Sequence, residues 1–282
     1  MGKTVIVTDS TAYIPKSITE RYGIQVAPQI LIWGKETFRD GVDIQPEAFY
    51  ARLKTSKEMP TTSQVSPGTL TTIFQPILEA GNSVLGIFVS GALSGTMASA
   101  IQAKDGLAGR PIELVDSRTT AMAMGFQVIA AARALESGAT MKEAAEVARR
   151  AQANTGVIFV VDTLEFLRRG GRIGGAAKFL GTALSLKPLL EVREGKVEGI
   201  ERVRTKTKAL ERMLDLVEER MGKRTPVRLA TVHAAAQDEA RTVLETATAR
   251  FGPVETFLTE ASPVVGAQAG PGTVGLAYCA GV

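Results

Sequence analysis

Short apolar runs alternate with helical patterns through the first half of the chain, and this alternation limits the possible folds more than any other feature. Each run is four to six residues long, as expected of a buried strand. The predicted strands are Thr4–Val7, Val84–Val89 and Ile112–Val115. Helices are expected near 15–22, 46–55, 68–80 and 94–107. Strands that alternate with helices are typical of a parallel sheet covered on both faces, so we expect an α/β/α layer structure here.

The second half of the sequence predicts another kind of sheet. The runs Leu189–Val192 and Lys196–Ile200 flank Arg193-Glu194-Gly195 and predict a hairpin. Because a hairpin joins antiparallel strands, we expect a mixed or antiparallel sheet. The other elements expected after residue 118 are helices at 119–137, 140–153, 205–221 and 236–251, and strands at 157–161, 227–232, 254–259 and 273–279.

We place a domain boundary after the helix predicted at 140–153. Thr140 and Glu143 have capping-box spacing at the start of this helix. With 282 residues, the chain favours two domains slightly over one. The sequence thus predicts an N-terminal α/β domain at 1–153 with a parallel sheet, and a C-terminal α/β domain at 154–282.

Composition excludes several classes of protein. The chain is 45% hydrophobic and 22% charged, so it buries a core and is not disordered. A net charge of only +4 does not favour nucleic-acid binding. The single cysteine, Cys279, excludes an internal disulfide and is predicted to lie in the core. The sequence has neither a signal-peptide pattern nor an apolar run of membrane-spanning length, so we expect a cytoplasmic protein without membrane insertion.

Hydroxyl groups and glycines are concentrated in four short stretches. These stretches are Thr8-Asp9-Ser10-Thr11, Pro60–Gly68, Ser90–Thr96 and Gly266–Gly272. Hydroxyls and loop N–H groups donate hydrogen bonds that hold an anion without supplying a full charge. The pattern predicts a small acidic ligand with a carboxylate or phosphate head group.

Each stretch also has a purely structural interpretation. Ser94-Gly95-Thr96 opens a helix, where Ser94 would either bind an anion or cap the helix. Thr61-Thr62-Ser63 is expected in a loop, either as part of a site or as a polar turn. Asp9-Ser10 follows a strand, and such a pair also caps a following helix.

Arg168-Arg169-Gly170-Gly171-Arg172 is a second distinctive segment. It lacks the Gly-Lys-Ser/Thr of a phosphate loop, and it follows a helical pattern instead of a strand, which argues against a dinucleotide fingerprint. Its arginines could reach a ligand head group or a partner's phosphate. The alternative is a solvated basic loop.

Groups suited to catalysis are scarce. His233 is the only histidine, and it ends a predicted strand, so a structural role is favoured over a catalytic one. One histidine and one cysteine support neither a catalytic triad nor a zinc site, and we predict no catalytic residue and no metal ligand. One rival hypothesis is a phosphoryl-transfer or hydrolytic enzyme that uses Asp9, Ser10 and the arginine segment. Another is an interaction module without a ligand.

Taken in order along the chain, these stretches resemble the DegV family of bacterial fatty-acid-binding proteins. The matching segments are Thr8-Asp9-Ser10-Thr11, Pro60-Thr61-Thr62-Ser63-Gln64, Leu93-Ser94-Gly95-Thr96, Asp116-Ser117, Asp162–Ile173, Leu186-Lys187-Pro188 and Gly270-Pro271-Gly272. The resemblance implies two α/β domains with a long-chain fatty acid, such as hexadecanoate, in a buried tunnel between them. It also implies a non-catalytic role without a cofactor, in which the lipid is presented to a separate ATP-dependent fatty acid kinase subunit.

The resemblance also implies roles for individual residues. The carboxylate ligands would be Thr62 and Ser94. The residues implied near the head group are Thr61, Ser63, Gly95 and Gln268. Gln268 stands where the family often has histidine, and its amide still donates a hydrogen bond but takes up no proton. The segment with Arg168, Arg169 and Arg172 would serve the head group or the kinase partner.

Overall fold

The computed structural model describes residues 2–181 and 186–282, which form three sheets with helices on their faces. The strands are β1 (Thr4–Asp9), β2 (Gln25–Ala27), β3 (Ile30–Trp33), β4 (Glu36–Arg39), β5 (Thr61–Ser63), β6 (Ser83–Phe88), β7 (Ile112–Asp116), β8 (Thr155–Val160), β9 (Lys187–Arg193), β10 (Lys196–Val203), β11 (Val227–His233), β12 (Glu255–Glu260) and β13 (Val274–Ala280). The helices are α1 (Lys16–Tyr22), α2 (Pro46–Thr55), α3 (Pro67–Glu79), α4 (Thr96–Gly106), α5 (Ala121–Glu136), α6 (Met141–Ala151), α7 (Glu165–Arg169), α8 (Lys206–Met221), α9 (Gln237–Phe251) and α10 (Pro263–Ala269).

The first sheet has the order β2-β1-β6-β7, and all of its strands are parallel. On one face Val84 and Phe88 pack against Phe74 of α3. On the other face Leu85 packs among residues of α5 and α6, including Ala148. Both faces are therefore apolar, as parallel sheets require, and the predicted parallel α/β/α sheet is confirmed.

A small antiparallel sheet, β4-β3-β5, was not expected from the sequence. The prediction that Thr61–Ser63 lies in a loop is wrong, because these residues form β5 and pair with Ile30–Ile32 of β3. Strand β3 has backbone N–H and C=O groups along both of its edges, and β4 and β5 pair with them. Threonine, which is frequent in β5, is favoured in strands. The pairing fixes the direction of each side chain on β5.

The third sheet has the order β10-β9-β8-β13-β11-β12. Only β11 and β12 run parallel, and the other pairs are antiparallel, so the predicted mixed sheet is confirmed. The expected hairpin is present as β9 and β10. Its turn contains Glu194 and Gly195, both with positive φ, as in the tight turns that suit hairpin twist.

Helix α5 lies between the first and third sheets. Phe126 belongs to one apolar cluster with Ala230 and Ala277 of the third sheet, and Val128 belongs to another with Leu85 of the first. The arrangement is consistent with two domains, and the boundary at 153 stays a prediction. Over the ranges 2–181 and 186–282, no helix is both long enough and apolar enough to cross a membrane.

Candidate functional site

A cavity lies between the first and third sheets, with about 990 Å³ of space including its open mouth. Val89 and Leu93 follow the first sheet, whereas Val157, Phe159 and Val232 belong to the third, and all of them line the cavity. Most of the wall is apolar. A mostly apolar wall with a few polar groups is typical of a site for a small apolar ligand.

The polar part of the wall contains five of the residues predicted from the sequence, namely Thr62, Ser63, Ser94, Arg172 and Gln268. Four other predicted residues, Thr61, Gly95, Arg168 and Arg169, are outside the described lining of this cavity.

Thr62 and Gln268 are in direct contact, although 206 positions separate them. Gln268 Nε2 donates a hydrogen bond to Thr62 Oγ1 at 2.9 Å. Helix α10 carries Gln268, and it is held at its first turn by Asp40, whose Oδ1 accepts from Val264 N at 3.1 Å. Gln268 Oε1 is buried and finds no hydrogen-bond partner among the described residues.

Ser94 lies just before α4, which begins at Thr96 and not at residue 94 as expected. Ser94 Oγ accepts from Thr96 N at 3.3 Å and lies 3.0 Å from Thr96 Oγ1. Thr96 in turn contacts the amide of Gln29, which sequence reasoning missed. The helix-cap and anion-site interpretations of Ser94 are compatible, because its hydroxyl contacts the helix and also lines the cavity.

Arg172 lines the same cavity and bonds to the backbone of two neighbouring segments. Its Nη1 donates to Gly170 O at 2.6 Å, and its Nε donates to Leu93 O at 3.0 Å. Gly170 lies against Gln268, and Leu93 precedes Ser94. Arg172 is therefore partly buried at the cavity wall, where two backbone carbonyls accept from its guanidinium.

Arg168 and Arg169 differ from Arg172. Their side chains are 54% and 55% exposed, and both contact Glu165, at 2.9 and 2.5 Å. Hydrogen bonds from Arg168, then from Arg169, lower the pKa of Glu165 to about 2. These two arginines form an exposed basic surface on α7, whose Leu167 lines the cavity.

Asp9 and Ser10 form hydrogen bonds inside the protein. Asp9 accepts from Thr11 N at 3.0 Å, Thr11 Oγ1 at 2.6 Å and Val89 N at 2.8 Å. Burial raises the pKa of Asp9, against the lowering effect of these hydrogen bonds. Ser10 Oγ donates to Asp40 at 2.6 Å. Asp9 thus caps the turn that follows β1, and neither side chain lines the cavity in the described structure.

His233 ends β11 and is 95% buried. Burial lowers the pKa of its imidazole, and Nδ1 lies 3.9 Å from Glu260. Cys279 lies in the core, as predicted. The described residues contain no group of three or more His, Cys, Asp or Glu that could hold a metal ion.

Comparisons with known proteins agree with this architecture. The model of the family described as "Uncharacterised protein, DegV family" matches residues 3–281, and the chain belongs to the DegV family. A DegV domain-containing protein of Streptomyces coelicolor is 37% identical over 273 residues, or 96% of each chain. Protein DegV of Bacillus subtilis is 33% identical over 279 residues, or 97% of this chain and 98% of that one.

Solved structures show the same fold. A DegV family protein from Thermus thermophilus, described by its fatty acid binding, has a TM-score of 0.93, 33% identity and 99% coverage of both chains. The structure of DegV from Bacillus subtilis, described as a fatty acid binding protein, has a TM-score of 0.90 and 31% identity. It covers 99% of this chain and 100% of that one.

Proposed function

We propose that the protein binds a long-chain fatty acid, with the acyl chain in the cavity and the carboxylate at Thr62 and Ser94. The observation that carries the proposal is the arrangement of the cavity wall. Thr62, Ser94, Gln268 and Arg172 bring polar groups to the wall of one cavity, and apolar side chains line most of the remaining space. The relatives from Thermus thermophilus and Bacillus subtilis are described as fatty-acid binding.

The two parts of the cavity contribute differently to binding. Burying an acyl chain gains about 0.8 kcal/mol per methylene, or on the order of 10 kcal/mol for about 15 methylenes, before the costs of association. Each hydrogen bond to a charged carboxylate adds about 1.5–3 kcal/mol. The acyl chain therefore sets most of the affinity, and the hydroxyl groups set the orientation.

We further propose that the protein presents the carboxylate to a separate kinase subunit and is not itself an enzyme. A cavity mouth that holds the carboxylate beside an exposed basic surface, Arg168 and Arg169, suits a partner that brings a phosphate. The rival enzyme hypothesis requires Asp9 and Ser10 as catalytic groups. Both side chains are instead hydrogen-bonded to other groups of the protein, which argues against that role.

The test is organic extraction of the purified protein under denaturing conditions, followed by mass spectrometry. We expect about one monocarboxylate lipid of about 14–18 carbons per chain, a range that includes the roughly 15 methylenes assumed above. A protein that is purified empty, and that takes up neither palmitate nor oleate, would rule out the proposed function. Turnover of ATP by the protein alone, above that of a matched inactive preparation, would instead restore the enzyme hypothesis.

A further inference from the structure

A second cavity adjoins the first at Val157 and Val192, which line both. It lies between α5 and the third sheet, and hydroxyl, amide and charged side chains form much of its wall. We call it the polar cavity, and the cavity described above the acyl cavity. At the two valines a single side chain borders both spaces, so the proposed acyl chain ends close to polar groups.

Strand β8 leads from one cavity to the other. Side chains alternate along a strand, so Phe159, Val157 and Thr155 lie on one face, which spans about 13 Å. Phe159 lines the acyl cavity, Val157 lines both, and Thr155 lines the polar cavity. Phe159 packs in the same apolar cluster as Leu93, the neighbour of Ser94. The row therefore begins near the proposed carboxylate position and ends in the polar cavity.

Helix α5 follows the same course. Thr120, its N-cap, lines the acyl cavity, and Gln127, seven residues later on the same helix face, lines the polar cavity. Gln127 Nε2 donates to Thr155 Oγ1 at 3.0 Å and to Ser117 O at 3.2 Å. Because a carbonyl only accepts, the contact with Ser117 fixes which end of the amide carries the N–H groups.

Two polar atoms of this wall are unpaired. Gln127 Oε1 and Thr119 Oγ1 are buried and find no hydrogen-bond partner within residues 2–181 and 186–282. Gln127 is 0% exposed and Thr119 is 5% exposed, and both residues line the polar cavity. An amide oxygen only accepts, whereas a hydroxyl both donates and accepts. The complementary ligand group therefore donates a proton to Gln127.

The charged side chains of the polar cavity already have partners. The ion pairs are Arg118–Glu194, Arg149–Glu113, Arg193–Glu191 and Arg220–Glu191. Because each arginine has a counter-charge, the cavity does not require an anion. A carboxylate would also bring a second acceptor to Gln127 Oε1. The group that fits the unpaired atoms is a neutral hydroxyl.

We propose that the acyl path continues past Val157 into the polar cavity, and that the protein binds long-chain fatty acids with a hydroxyl group at the end remote from the carboxylate. The inference rests on the proposed function. Such a hydroxyl donates to Gln127 Oε1 and accepts from Thr119 Oγ1, so both unpaired atoms gain a partner. The methyl end of an ordinary fatty acid pairs with neither.

The test compares ligands that share one acyl chain. Affinities for palmitate, 16-hydroxyhexadecanoate, 8-hydroxyhexadecanoate and hexadecanedioate are measured with the wild-type protein. The 16-hydroxy acid should bind within about threefold of palmitate or more tightly, because its hydroxyl finds partners. The 8-hydroxy acid should bind at least about tenfold more weakly than palmitate, because its hydroxyl is buried among apolar side chains.

Thr119→Val tests where the terminal hydroxyl lies. The variant breaks none of the described side-chain hydrogen bonds, because Thr119 Oγ1 has no partner among the described residues. We expect about fivefold weaker binding of 16-hydroxyhexadecanoate and unchanged binding of palmitate, and Thr119→Ser should behave as the wild type. Gln127→Leu should lower the affinity ratio of the 16-hydroxy acid to palmitate in the same direction. The ratio removes any effect of the lost Ser117 and Thr155 contacts that both ligands share.

Three results would overturn the inference. In the wild type, 16-hydroxyhexadecanoate could bind tenfold or more weakly than palmitate, which would end the acyl path at the valines. An unchanged affinity ratio in Thr119→Val and Gln127→Leu would place the hydroxyl in solvent. Tighter binding of hexadecanedioate than of the 16-hydroxy acid would assign the polar cavity to its arginines. Palmitate still binds in all three cases, whereas a wild-type protein that binds none of the ligands would refute the proposed function.

Discussion

Gly170 and Gln268 are packed so closely that a Cβ atom on residue 170 would lie 1.6 Å from Gln268 Oε1. The glycine is in the helical region of backbone space, with φ −72°, so alanine is allowed there by its own backbone. Space, and not conformation, requires glycine at this position. Gly170 of the arginine-glycine segment thus leaves space for the side-chain amide of Gln268 on α10.

We therefore predict that Gly170→Ala displaces the Gln268 amide from Thr62 and weakens fatty-acid binding by about fivefold, the value of one neutral hydrogen bond. The Gln268 side chain moves more readily than backbone, so the fold should persist. Gly106→Ala is the matched control, because nothing lies within 4 Å of a Cβ built there. Fluorescent fatty-acid titration measures both variants. Equal affinities would show that the contact of Gln268 with Thr62 does not serve the ligand.

The second prediction concerns the two proposed carboxylate ligands. Thr62→Val combined with Ser94→Ala should weaken palmitate binding by about 1–3 kcal/mol for each lost donor, because a buried anion then lacks partners. The double variant should also lower the melting temperature modestly, because Gln268 Nε2 and Thr96 N each lose an acceptor. Thr61→Val is the control, as Thr61 is an exposed neighbour on the same strand. If the double variant keeps its affinity, the carboxylate is bound elsewhere.

The sequence allowed prediction of the two main sheets because their signals are local. The alternation of apolar runs with helices, and the Glu194-Gly195 turn, each lie within a few consecutive residues. Helix α10 had a comparable local signal, Ser262 followed by Pro263 at the first helical position, which was overlooked. The small sheet was missed because β5 pairs with a strand about 30 residues away.

The site was predictable only for residues that stand in recognisable stretches. Thr62, Ser94 and Gln268 do so, and they line one cavity. Gln29 does not, because a single amide after Ala27-Pro28 carries no local signal. Gln29 lines the cavity and contacts Thr96, 67 positions away, and this proximity exists only in the folded chain.

The third prediction concerns pH and the buried Asp40. Burial raises the pKa of Asp40 from 3.8 to about 6, although Ser10, Ser262 and Val264 N–H donate to it; the charge of Asp9 raises it further. Between pH 4 and 6 the folded protein holds a proton that the unfolded chain has lost. The free energy of unfolding therefore falls as pH rises through this window, by on the order of 3 kcal/mol, and is level above it.

Asp40→Asn should flatten this part of the stability profile, which urea unfolding at pH 4, 5, 6 and 7 measures. Burial also raises the pKa of Asp9, so a fall of the same sign should remain in this variant. Asp43→Asn is the control: Arg39 lowers the pKa of Asp43 to about 2, so the contribution of Asp43 is lost only as pH falls below about 4. Parallel profiles for the wild type and Asp40→Asn would contradict the assignment.

The last prediction separates the arginines by their contacts. Among the described residues, Arg168 and Arg169 are exposed and pair with Glu165 on their own helix, whereas Arg172 lines the cavity and donates to Gly170 O and Leu93 O. Arg168→Glu combined with Arg169→Glu should therefore leave palmitate affinity within about twofold, because exposed ion pairs contribute little. Arg172→Gln should weaken palmitate binding, since the carbonyls that it joins position Ser94 and Gln268.

When acyl-phosphate formation with a kinase partner is measured, the Arg168→Glu/Arg169→Glu double variant should be affected more than Arg172→Gln. Charge reversal at Arg168 and Arg169 removes the groups suited to a phosphate-bearing partner, so the rate of acyl-phosphate formation should fall far more than lipid affinity does. The measurement is a pair for each variant: lipid affinity of the protein alone, then acyl-phosphate formation with the kinase. A loss of lipid affinity in the double variant would place the segment in the ligand pocket. No change in either quantity would make Arg168 and Arg169 a solvated basic surface, and the partner would then recognise another face of the protein.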